Sequence, residues 1–204
     1  MKQFNGYSEA KKQAQNQGGA KLPAGAYVCK VLAVKYENGA DGTSDRIAVQ
    51  FDIAEGDYKD FFKNQYDANT SEDKRWKGSV RIYVPTDDGS DRDAWTKRNF
   101  ASWTDSFEKS NVGYSWDWDE KKWKNKLVGI VFGTTGTVIS GRNITYTEPR
   151  FAVDVEKVRK GTAPEAKFKE KNGYKESASG SQSAPVDANG FMQIPDGVEE
   201  EIPF

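Results

Sequence analysis

The chain has 204 residues, of which 36% are hydrophobic and 30% charged, which suits one domain with polar extensions better than two full-sized domains. It contains no histidine and a single cysteine, Cys29, which excludes an internal disulfide, a multi-cysteine zinc site and every Ser-His or Cys-His catalytic arrangement. The net charge of -1 hides an asymmetry: residues 161–204 carry eight acids against four lysines, which leaves residues 1–160 with a small positive excess.

Residues 1–21 form a polar arm in which Tyr7 to Gln17 has the composition of a short helix, stopped by Gly18 and Gly19. From Ala24 the pattern changes. Tyr27 to Tyr36 is rich in β-branched and aromatic residues and reads as a strand, and Asn38 to Gly42 supplies turn chemistry. Arg46 to Ala54 is a second strand, with Ile47, Val49, Phe51 and Ile53 on one face and Arg46, Gln50 and Asp52 on the other. A polar, aromatic-studded insert follows, Asp57 to Gly78. Ser79 to Val84 is the third strand, with Arg81 and Tyr83 opposite the apolar residues. Asp91 to Ser110 places Trp95, Phe100, Trp103 and Phe107 at helical spacing, with Ser90 or Asp91 as its cap. Leu127 to Thr134 and Arg150 to Val158 read as strands, joined by an extended loop, Thr135 to Thr147, with Gly136 and Gly141 as turn points.

This order predicts a mainly β domain over residues 22–160: a five-stranded OB-type Greek-key barrel with one helix between strands three and four. Residues 161–195 are rich in Gly, Ser, Ala, Lys and Glu and are expected to form a flexible linker. Residues 196–204 form an expected disordered acidic tail that ends Glu199-Glu200-Glu201-Ile202-Pro203-Phe204. Acids alone would serve solubility, but an exposed terminal Ile-Pro-Phe would not. A short acidic and apolar peptide with a free carboxylate suits capture in a basic pocket of another protein. The N-terminus has no apolar leader, and no apolar run approaches the ~18 residues of a membrane span. A cytoplasmic protein is the expectation.

The tail resembles the C-terminal tip of bacterial single-stranded DNA-binding proteins, in which a few acids precede a terminal Ile-Pro-Phe. Leu22 to Val31 and Phe51 to Phe62 are similar to proteins encoded by phages and mobile elements of Gram-positive bacteria. The resemblance implies a non-enzymatic, cytoplasmic protein that binds single-stranded DNA in replication or recombination without a cofactor. It also implies that the tail recruits replication and recombination proteins. Self-association is compatible with it.

Binding of single strands requires aromatic platforms and cations that track the phosphates. The candidates on strands two and three are Arg46, Gln50, Arg81 and Tyr83. The insert adds Phe62, Tyr66, Lys74, Arg75, Trp76 and Lys77, and the later hairpin adds Arg142, Tyr146 and Arg150. Tyr83 and Trp76 fit either base stacking or local packing, and at least one of Phe61 and Phe62 is expected in the core. Trp95, Trp103 and Phe107 are expected to form the buried stripe of the helix, and Tyr114 to Glu120, aromatic but acidic, to be structural. Asp87 to Asp91 lacks the bidentate Glu of a calcium loop. The alternatives without DNA binding are a carbohydrate-binding β-module, for which cations beside the rings and the Ile-Pro-Phe end have no use, and a scaffold module that only presents the tail to partners.

Overall fold

The computed structural model describes residues 21–40 and 43–175. The expected helix at 7–17, the linker beyond 175 and the acidic tail lie outside the described residues. Six strands form one mixed sheet: β1 (Gly25–Glu37), β2 (Arg46–Ile53), β3 (Ser79–Tyr83), β4 (Leu127–Ile139), β5 (Arg142–Val153) and the two-residue β6 (Lys169–Glu170). The strand order is β3-β2-β1-β4-β5, antiparallel throughout, with β6 added in parallel to β4. The sheet is not closed into a barrel. Among the described residues no pairing joins β3 to β5, and helix α2 (Asp91–Ser110) instead packs against both of these edge strands. Two further helices, α1 (Phe61–Ala68) and α3 (Val155–Arg159), and a 3-10 turn at Glu120–Trp123 complete the described residues.

β1 is the central strand, and its register shifts between Val31 and Ala33, with Leu32 as the extra residue. Before the shift Tyr27, Cys29 and Val31 face the core; after it Val34 does, and Ala33 and Lys35 are exposed. Side chains alternate strictly along a strand, so a single inserted residue exchanges the two faces.

α2 starts where the sequence places it. Ser90 is the N-cap and accepts a hydrogen bond from the Asp93 N–H at 3.1 Å. Its buried stripe is Thr96, Phe100, Trp103 and Phe107, spaced by four, three and four residues. Trp95 lies one position off that stripe and is 56% exposed, against the expectation that it would be core. Trp123 stacks on Phe107 at 4.6 Å, and Trp116 packs against Trp123 in a tilted arrangement at 5.0 Å, so Trp116 ties the Tyr114 to Glu120 loop to the core, while Trp118 is exposed.

Three expected boundaries shift. Thr135 to Thr147 is strand rather than loop, because β4 and β5 continue their pairing to Ile139 and Arg142 and turn at Ser140-Gly141, both at positive φ. The strand expected over Arg150 to Val158 ends, as part of β5, at Val153, and α3 begins at Val155, capped by the Asp154 carboxylate. Residues 161–175, expected to begin the linker, run back along β4. The Lys171 N–H donates to the Gly136 carbonyl at 2.9 Å, and a Cβ at Gly136 would lie 2.6 Å from the Tyr174 ring. Gly136 is therefore a close-approach site within a strand and not a turn point.

The insert after β2 is held by Asp52. This buried carboxylate accepts the backbone N–H groups of Ile53 and Phe62 through one oxygen and of Lys63 through the other, at 2.8 to 3.0 Å. Burial pushes its pKa up, while the Phe62, Ile53 and Lys63 N–H groups pull it down. α1 has no side-chain cap at Asp60, so Asp52 supplies from β2 the acceptor that the helix start lacks. Asp52→Ala leaves these buried donors unpaired and should cost about 1–3 kcal/mol, read as a lower urea midpoint at unchanged m-value. No helix among the described residues is long and apolar enough to cross a membrane.

Candidate nucleic-acid interface

Directly opposed residues of an antiparallel pair share a face. The registers of β1, β2 and β3 therefore build an outward lattice of three rows: Ala33–Gln50–Ser79, Lys35–Ala48–Arg81 and Glu37–Arg46–Tyr83. Its underside is Val34–Val49–Val80 and Tyr36–Ile47–Ile82, of which Ile47, Val49 and Ile82 are fully buried. Four sequence candidates, Arg46, Gln50, Arg81 and Tyr83, thus meet on one solvent-facing surface. Tyr83 is 39% exposed at one corner, next to Arg46, and presents a ring on which a base can stack. Glu37 pairs with both arginines: its Oε2 lies 3.1 Å from Arg46 Nε and 3.2 Å from Arg81 Nε.

A basic flank that the sequence reading passed over borders this lattice. The Val31 N–H donates to the Lys126 carbonyl at 3.0 Å, and the Asn125 N–H donates to the Val31 carbonyl at 2.9 Å. This ties Glu120 to Lys126 to the β1 edge that β4 leaves free. Trp123 anchors the segment in the core, while Lys121 and Lys124 are exposed. The signal was available: four lysines in six residues around one Trp, Lys121 to Lys126, form the densest basic run in the chain.

The insert residues divide. Phe62 is 8% exposed and packs edge-on against Phe51 and Phe61, so it is core and leaves no ring face for a base. Trp76 is half-buried and donates its indole N–H to the carbonyls of Phe51 and Gly78 at 3.1 and 3.0 Å. It pins the insert beyond the Ser79 end of β3, which makes it a packing residue first. Tyr66 lies 5.9 Å from Trp76 and carries Lys74 over its ring at 4.5 Å. Arg75 and Lys77 are exposed on the same loop.

The hairpin residues lie apart from the lattice, on β5, beyond β1 and β4 in the sheet. Arg150 is a structural cation with a side chain 13% exposed: it donates to the Thr134 carbonyl and Thr135 Oγ1 and pairs with Glu148 at 2.9 Å. The Tyr146 hydroxyl accepts from Lys171 Nζ at 3.3 Å, and Arg142 is exposed at the hairpin turn. Sequence order alone could not separate this group from the face of β2 and β3.

A polar pocket of about 290 Å³ opens past Tyr83, lined by Thr43, Ser44, Val84, Thr86 and the start of α2. Among the described residues no group of three or more His, Cys, Asp or Glu side chains is placed to hold a metal. The fold and this surface define a mainly β protein with an open, cation-rich and ring-bearing sheet face. No protein-family model matches the chain, and no curated protein is detectably similar to it in sequence.

The roles of the two rings are separable by stability. Trp76→Ala removes packing and two hydrogen bonds and should destabilise the domain by about 2–4 kcal/mol. Tyr83→Ala, on the exposed lattice, should change stability by less than about 0.5 kcal/mol. Thermal or urea unfolding of the two variants checks both values.

Proposed function

We propose that this protein binds single-stranded DNA, without marked sequence preference, across the outward face of β1, β2 and β3, and that it acts as a binder and not as an enzyme. The observation that carries this reading is the lattice itself: Lys35, Arg46 and Arg81 on one face with Tyr83, flanked at the β1 edge by Lys121 and Lys124. Cations spaced along a groove neutralise phosphates, and an exposed ring stacks on any base, so the recognition is insensitive to sequence. We read the sheet as an opened OB-type barrel whose seam between β3 and β5 is covered by α2, which keeps this face free. A cytoplasmic role in replication or recombination fits the acidic tail, whose Ile-Pro-Phe end resembles that of bacterial single-stranded DNA-binding proteins.

The test is titration of a fluorescent oligo-dT, against the same length of duplex, at two salt concentrations. Single strands should bind more tightly. If Lys35, Lys124 and the Arg46–Arg81 pair each neutralise one phosphate, the log–log salt slope should be about -2. A salt-independent affinity, or binding to glycans instead of DNA, would overturn the assignment in favour of a carbohydrate module.

The tail makes a separate expectation. Deleting Glu199 to Phe204 should leave DNA affinity equal or slightly tighter, because an acidic peptide competes with phosphate for cations. It should also abolish retention of replication or recombination proteins in a pull-down. Phe204→Ala should act like the deletion on partners, since the terminal ring fills the pocket.

A further inference from the structure

Glu37 is an acid on the same surface, beside the cations proposed to attract phosphate. Its Oε2 receives a hydrogen bond from Arg81 Nε at 3.2 Å and lies 3.1 Å from Arg46 Nε. The two guanidiniums come from different strands, β3 and β2, and converge on one oxygen of a third strand, β1. That oxygen does not satisfy both. Arg46 Nε–H is buried and makes no hydrogen bond among the described residues, although its side chain as a whole is 36% exposed. The Glu37 side chain is itself 25% exposed, so solvent and ligand reach it.

From this geometry we infer that the Glu37 carboxylate occupies, in the free protein, the seat of a backbone phosphate, and that Arg46 and Arg81 form a phosphate subsite that Glu37 must vacate for the strand to bind. The inference rests on the proposed DNA-binding reading and adds to it a residue that sets affinity. The chemistry is a substitution of one anion for another. A phosphodiester carries the same charge as the carboxylate, but its oxygens spread further apart, so separate oxygens can accept from Arg46 Nε–H and Arg81 Nε–H. Without any anion between them, two neighbouring guanidiniums would repel on an exposed sheet face. Glu37 removes that repulsion in the free state and in doing so weakens the attraction for DNA.

The experiment is a salt titration of oligo-dT against the full chain carrying Glu37→Gln, alone and combined with Arg46→Gln and Arg81→Gln. One additional neutralised phosphate steepens the slope by about 0.7 and is worth about fivefold in affinity near 0.1 M salt. Glu37→Gln should therefore bind more tightly by about that factor, with the steeper slope. In the background lacking both arginines the same change should have no effect on the slope. Unchanged affinity and slope in a protein that binds DNA would overturn the subsite and leave the binding face standing. Weaker binding by Glu37→Gln would overturn it too, by showing that the carboxylate orients the arginines for DNA instead of competing with it. Absence of oligo-dT binding by every form would remove the functional reading, and the subsite with it. Because solvent-accessible ion pairs contribute at most about 1 kcal/mol to stability, a thermal melt of Glu37→Gln should stay within a few degrees of the parent's, and this separates a change in binding from a change in fold.

Discussion

The β-bulge at Leu32 decides what this surface is. β1 pairs with β4 through its first half and with β2 along most of its length, so both halves of the sheet take their facing from it. With strict alternation, Cys29 and Val31 in the core would be followed by Ala33, Lys35 and Glu37. That would bury two charges and turn Val34 out to water. The inserted residue reverses the alternation, so the core continues through Val34 while Lys35 and Glu37 join Arg46 and Arg81 outside. Burying an unpaired charge is far more costly than the local disorder of one bulge, so the hydrophobic and electrostatic demands on the strand are met together.

Around that frame the chain places its cations in two kinds of environment. Arg150 is enclosed by Thr134, Thr135 and Glu148, and its side chain is 13% exposed; its charge is spent on the β4–β5 hairpin. Arg81 is 59% exposed and Lys35, Lys121 and Lys124 are exposed as well. Only the second set can exchange its solvent and counterions for a polyanion. The small net charge of the whole chain is therefore a poor guide to its surface, because attraction depends on which charges remain free on one face.

The open seam between β3 and β5 and the part of β4 that extends beyond β1 are both covered. α2 presents Phe100, Trp103 and Phe107 inward and touches β3 and β5, which lack a mutual pairing. On the other side of the sheet order, residues 161–175 continue along β4, where Gly133 and Gly136 allow Ala166 and Tyr174 to approach closer than any Cβ would permit. Strand edges that are covered in this way present fewer free backbone groups for unwanted pairing, and the face carrying the lattice stays open.

Much of this was legible in the sequence. Period-two alternation located β2 and β3, and with them the outward Arg46, Gln50, Arg81 and Tyr83. Helical spacing and the Ser90 cap placed α2 at its observed limits, because both signals are local. What the sequence could not decide depends on contacts distant along the chain. The bulge in β1 exists only relative to the register of β2; the hairpin of β4 and β5 outran the apolar pattern because ladder hydrogen bonds, not side chains, extend it to Ile139. Trp95 and Phe62 exchanged their expected places because one position around a helix, or one neighbour in a packed cluster, decides burial. Lys121 and Lys124 acquired their meaning only when backbone bonds at Val31 carried their segment to the edge of the lattice. Composition supplied the cations and rings from which a binding surface is proposed, and tertiary structure decided which of them share one face.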